Sequence, residues 1–93
     1  IGGEEFLVAM PRTTSAQARG AANRLRRLVN CRPFDLGPGH PPLRVTVSVG
    51  VAVSGQLGLA QSELLAMCDM ADAALYAAKS AGRDQVAMSR SAA

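Results

Sequence analysis

From Val45 to Val53 the chain reads VTVSVGVAV, a valine at every second position. Side chains alternate between the two faces of a strand, so Val45, Val47, Val49, Val51 and Val53 share one side. β-Branched residues suit a pleated, half-buried surface, and the run predicts a strand over 45–53. Its other face carries only Thr46, Ser48, Gly50 and Ala52. A face of such small residues invites close approach, by a packed helix or by a bound ligand. Gly50, bare in mid-strand, marks that approach or a bulge.

Two helices and two further strands are expected around this run. Residues 4–10 read as a buried strand that Pro11 stops. Thr14 or Ser15 supplies a cap for a helix over 15–30, whose apolar positions are Ala18, Ala21, Ala22, Leu25, Leu28 and Val29. Arg19, Asn23, Arg26 and Arg27 fall on its other side, with Arg24 on the rim. RPFDLGPGHPPLR, with four prolines and two glycines, is a loop with room for a short strand at 34–36. A second helix starts near Ser62, with Glu63 in its first turn, and repeats Leu64, Cys68, Ala71, Leu75 and Ala78 along one face. Gly82 stands where a helix C-terminus favours glycine. DQVAM then reads as a closing strand, and residues 89–93 as a frayed tail.

Ninety-three residues allow one domain at most, and a domain this small buries a modest fraction of its surface. With 3% aromatic residues, the core must be built from Val, Leu, Ala and Met. A net charge of +3 is a weak pull on anionic partners, and no motif for reading nucleic acid accompanies it. Cys31 and Cys68 are far apart, outside any metal-ligand spacing, which fits two reduced thiols in a cytoplasmic protein. No apolar run approaches the roughly 20 residues that span a bilayer. The first residue is Ile1 rather than Met, so the chain reads as a piece of something longer.

Chemistry is suggested at both ends. IGGEEF places two glycines, which belong in a tight turn, directly before Glu4 and Glu5. The strand that should lead into that turn is absent before Ile1. Neighbours on a strand point to opposite faces, so Glu4 and Glu5 cannot serve one site from the same side. A carboxylate beside a backbone turn can ligate Mg²⁺; an exposed acidic hairpin accounts for the same residues. At the other end, Lys79 and Arg83 straddle the second helix's C-terminus. They either complement its dipole or converge on phosphate oxygens. His40 has no second histidine or nucleophile to partner it and is assigned no role.

Taken together, GGEEF at 2–6, VTVSVGVA at 45–52 and ADAALYAAKSAGRDQV at 71–86 resemble the GGDEF family of diguanylate cyclases. The resemblance implies an α+β fold like the palm of adenylyl cyclases and polymerases, an antiparallel sheet with helices around it. Only the C-terminal part of that domain is covered. Its N-terminal half, with the strand leading into the turn, a second metal-binding aspartate, the guanine-recognising residues and the RxxD inhibitory motif, would lie upstream. By the resemblance, two GTP molecules on a homodimer are condensed to cyclic di-GMP and pyrophosphate, with Mg²⁺ or Mn²⁺ as cofactor. Gly2 and Gly3 would shape the turn against GTP, and Glu4 would ligate the metal and help deprotonate the attacking hydroxyl. Glu5 would lie near the catalytic site, Lys79 and Arg83 would hold the triphosphate, and Arg24 would match a secondary contact to cyclic di-GMP. The domain is then expected to be cytoplasmic, in a bacterial signalling parent with room for a membrane or sensory domain upstream. The isolated 93 residues are expected to be inactive, and to self-associate or swap strands for want of a central strand. Two rivals are a degenerate module that binds GTP or cyclic di-GMP without catalysis and, more weakly, a basic interaction module.

Overall fold

A computed structural model describes residues 5–54 and 60–89, and among these it shows four elements. They are helix α1 (Ser15–Asn30), strand β1 (Val49–Val51), helix α2 (Gln61–Ser80) and strand β2 (Val86–Met88). The capping residue of α1 is Thr14: its Oγ1 accepts from the Gln17 N–H at 3.1 Å. The Gln17 side chain accepts in return from the Thr14 N–H at 2.9 Å, a reciprocal capping box. Helix α2 instead begins after Ala60, which makes no side-chain capping bond, so Ser62 lies inside the first turn rather than capping it.

The sheet corrects two expectations. β1 and β2 pair in parallel, with Val49 opposite Val86, Gly50 opposite Ala87 and Val51 opposite Met88. An antiparallel sheet was the expectation; a helix of 20 residues between the two strands instead carries the chain back to run in the same direction. The strand over 45–53 also contracts to three paired residues. Valine alternation supplies propensity, whereas a ladder needs a partner, and β2 offers only three residues to it. Bonds from the Val49 N–H to the Gln85 carbonyl (2.9 Å) and from the Ser89 N–H to the Val51 carbonyl (2.6 Å) extend it at each end.

Residues 5–10 form no strand, contrary to the expected buried one, because no described strand pairs with them. Phe6 is 92% exposed, and Leu7 and Val8 are exposed with it. The proline-rich loop closes through a single antiparallel bridge between Phe34 and Leu43, with mutual bonds of 2.7 and 2.8 Å. Residues 90–93, most of the expected tail, lie outside the described residues.

The two faces of β1 do different work. Val51 packs with Ala18 and Ala22 of α1, joined by half-buried Val49, Val53, Val86 and Met88. The opposite face meets α2. A Cβ built on Gly50 would run into the backbone of Ala71 and Leu75, lying 2.7 Å from the Leu75 Cα. The small-residue face therefore receives a helix, and the missing side chain at Gly50 is what admits it. Ala87, opposite Gly50, keeps that face shallow. Ala74 and Ala78 of α2 are buried, Ala78 completely.

The core is thin. Among the described residues its buried members are Ala18, Ala22, Val51, Ala74 and Ala78, none larger than valine. The Cα radius of gyration, 15.2 Å, exceeds the about 12 Å of a compact domain of this length. An apolar cleft of about 950 Å³ opens between residues 7–14, the end of β1 and the N-terminal half of α2. Among the described residues, no helix is long and apolar enough to cross a membrane.

Two outcomes follow. Gly50→Ala should destabilise the full-length protein by about 3 kcal/mol or more in urea unfolding, since the colliding atoms are backbone and cannot rotate away. A loss below about 1 kcal/mol would show that α2 is not seated on β1. The isolated 93-residue chain, with Phe6, Leu7 and Val8 exposed beside an open apolar cleft, should elute as oligomers whose size grows with concentration. A monomer with a cooperative melt would contradict this.

Candidate functional site

The C-terminal end of α2 is a built turn. Gly82, at φ 123°, follows the last helical turn. The Arg83 N–H bonds the Ala78 carbonyl at 3.0 Å and the Gly82 N–H bonds the Lys79 carbonyl at 3.4 Å. This is the Schellman pairing, and it requires a left-handed residue that glycine adopts at no steric cost. Arg83 and Asp84 continue it with φ of 64° and 48°. Each is an L-residue in the left-handed region, at a cost on the order of 1–2 kcal/mol for Arg83 and less for Asp84, whose side chain tolerates the conformation.

Against this end lies Glu5. Its Oε2 accepts from the Lys79 Nζ at 3.0 Å, with both side chains only about a quarter exposed. The ion pair joins residues 74 apart in sequence and brings Glu5 to the end of α2. Lys79 thus sits in the last helical turn, where the dipole favours a cation, and also meets a carboxylate. Arg83 is exposed beyond the Schellman turn, its carbonyl accepting from Gln85 Nε2 at 3.0 Å. Gly2, Gly3 and Glu4 lie outside the described residues. Arg24 is elsewhere, on an exposed groove of α1 with Arg19, Asn23 and Arg27, which neither Lys79 nor Arg83 lines.

Sequence reasoning missed a second cluster. Arg26 was expected on the solvent side of α1; instead it is half-buried, and its Nη1 donates to Asp84 Oδ1 at 3.1 Å. Asn30 Nδ2 donates to both oxygens of the same carboxylate, at 3.0 and 3.2 Å. The signal was present: Ala18, Ala22, Arg26 and Asn30 form one row at four-residue spacing, so the two polar residues prolong the buried row. Leu28, counted on the apolar face, is 73% exposed.

Among the described residues, no three His, Cys, Asp or Glu side chains converge on a point that could hold a metal ion. Of the carboxylates at this end of α2, Glu5 is engaged by Lys79 and Asp84 by Arg26 and Asn30. The described residues by themselves therefore do not complete a divalent-cation site. Mg²⁺ commonly takes one or two carboxylates and draws its remaining ligands from substrate phosphates and water.

These features define a class: an α+β unit of two helices on a small parallel sheet, with a cationic turn where α2 ends. The family model described as "Diguanylate cyclase, GGDEF domain" matches residues 1–85. The chain is 41% identical over 85 residues to the response regulator PleD of Caulobacter vibrioides, which covers 91% of this chain and 18% of PleD. It is 38% identical over 86 residues to the diguanylate cyclase DgcP of Pseudomonas aeruginosa, covering 92% of this chain and 12% of DgcP. Its identity to the probable diguanylate cyclase DgcT of Escherichia coli is 35% over 86 residues, covering 92% of this chain and 18% of DgcT. The chain belongs to the GGDEF diguanylate cyclase family, and it spans less than a fifth of the length of these three relatives.

The Lys79–Glu5 pair is partly solvated, and a double-mutant cycle with Lys79→Met and Glu5→Gln should give a coupling of about 0.2–1 kcal/mol in urea unfolding. A coupling of zero would mean that the pair does not tether the N-terminal segment.

Proposed function

We propose that the chain is the triphosphate-binding part of a diguanylate cyclase, an enzyme that condenses two GTP into cyclic di-GMP and two pyrophosphates. The observation that carries this reading is the end of α2, where Lys79 and Arg83 flank a fixed turn and Glu5 is drawn alongside. Family membership and the names of the relatives support it.

In this reading the 3′-hydroxyl of each GTP attacks the α-phosphorus of the other. One P–O bond forms, the bond from the α-phosphorus to the bridging oxygen breaks, and pyrophosphate leaves. Glu4 accepts the hydroxyl proton, and Gly2 and Gly3 let the nucleotide approach the backbone of the turn. Lys79 and Arg83 bind the β- and γ-phosphate oxygens. Their charges oppose the negative charge that builds on the departing pyrophosphate. Arg83 offers a planar fork of donors and Lys79 a point charge, so the two are not interchangeable. Glu5 holds Lys79 in place rather than exchanging protons. Mg²⁺ or Mn²⁺, held by Glu4 and the phosphates, would add further charge neutralisation. Each subunit of a homodimer presents one GTP, and Arg24 on the outer groove of α1 is the proposed secondary contact to cyclic di-GMP.

The test is cyclic di-GMP formation from GTP and Mg²⁺ by the full-length protein. Glu4→Ala should abolish product. Lys79→Ala and Arg83→Ala should each raise KM for GTP about tenfold or more, as expected for loss of a charge-assisted phosphate contact. Product undiminished in Glu4→Ala would remove Glu4 from the chemistry. A folded protein that binds GTP yet makes no product would instead be a regulatory binding module.

A further inference from the structure

Three consecutive residues after α2, Gly82, Arg83 and Asp84, have positive φ, and two of them are not glycine. Such a run does not persist unless its surroundings hold it. The Schellman bonds fix its entry, and Gln85 Nε2 holds the Arg83 carbonyl at 3.0 Å. Its far side is gripped from α1. Arg26 Nη1 reaches the Asp84 carboxylate at 3.1 Å and the Asp84 carbonyl at 3.4 Å, so one guanidinium holds both side chain and backbone of this residue. Asn30 donates to both carboxylate oxygens. Arg26 is itself steadied by Asn23 Oδ1, 3.4 Å from its Nε, and Arg44 Nη1 donates to the Asn30 carbonyl at 3.2 Å. The group so framed is Arg83, whose own side chain is exposed.

We propose that Asp84, clamped by Arg26 and Asn30, is a positioning residue that presents the Arg83 guanidinium to the triphosphate. This rests on the reading of Arg83 as a triphosphate ligand. The clamp touches no substrate. Its effect is entropic: a long side chain on a wandering turn would lose more freedom on binding than one whose backbone is already set. A binding residue on the α2 turn is thereby made dependent on side chains of α1 more than 50 residues away in sequence.

The experiment measures binding by the full-length protein of a GTP analogue whose α–β bridging oxygen is replaced by methylene, so that pyrophosphate cannot leave. Guanosine serves as the control ligand. Asp84→Ala should weaken the analogue about tenfold and leave guanosine within about twofold. In an Arg83→Ala background the same substitution should change the analogue's affinity by less than about twofold, because its route of action is gone. Asp84→Asn, which keeps acceptor geometry for Arg26 and tolerates the left-handed region, should stay within about threefold of wild type. Arg26→Lys serves as a milder probe should Asp84→Ala fail to fold, and should show a smaller loss, again on the analogue alone. Equal effects of Asp84→Ala with and without Arg83, or equal loss of analogue and guanosine, would overturn the clamp while leaving Arg83 as a ligand. An Arg83→Ala protein that binds the analogue like wild type would overturn the triphosphate reading, and the clamp with it.

Discussion

Gly50 has no side chain, and the position of α2 follows from that. The helix backbone at Ala71 and Leu75 occupies the space that any Cβ on residue 50 would need. A helix seated so closely is fixed in height above the strand. Its burial of Ala74 and Ala78 against the same face fixes its rotation as well. The length of α2 then sets where the chain turns, and the register of Gly50 opposite Ala87 sets where it returns. Lys79, Gly82 and Arg83 stand between those two constraints. The charged end of α2 is therefore placed by a backbone contact at one strand residue, made before any charge is considered.

The other side of the sheet contributes the second fix. Ala18 and Ala22 bring α1 onto Val51, and the same row of α1 continues through Arg26 and Asn30 to Asp84. α1 thus touches the sheet through small side chains and the turn through long polar ones. With four alanines and one valine as its buried members among the described residues, the core offers little apolar area to resist distortion. Polar bonds between sequence-distant residues carry an unusual share of the definition of this turn. Removing one partner leaves the others half-satisfied, so such a network fails as a unit.

Much of this was readable in the residues. The bounds of α1 and a cap at Thr14 or Ser15 followed from spacing and capping chemistry, and the small face of the 45–53 run announced a close neighbour. Gly82 was legible because a Schellman turn has one residue type that fits it without strain. What could not be read was pairing. Residues 4–10 and 45–53 carry strand propensity, but how much of it becomes strand depends on partners that propensity does not name. The parallel direction followed from the 20-residue crossover, where the family resemblance had suggested an antiparallel sheet. Arg26 was placed opposite the apolar positions of α1, although its position four residues beyond Ala22 puts it on the buried row. Lys79 and Arg83 were legible as cations at a helix end; the Lys79–Glu5 pair was not, since nothing local relates residues 74 apart.

The location of the cationic pair also explains why its geometry needs support. Anions commonly settle at helix N-termini, where free N–H groups and the positive end of the dipole receive them. Lys79 and Arg83 stand at the opposite end, where the dipole is negative and repels a phosphate. The Schellman turn uses the N–H groups of Gly82 and Arg83 internally, so they are not free to bind the anion. In the proposed function, attraction at this end must then come from side-chain charge acting against the helix. A guanidinium that wanders gives away much of that attraction to entropy. A proposed phosphate site at a helix C-terminus thus depends on cations that are held in place. The Glu5 pair at Lys79 and the Asp84 clamp beside Arg83 are such holds.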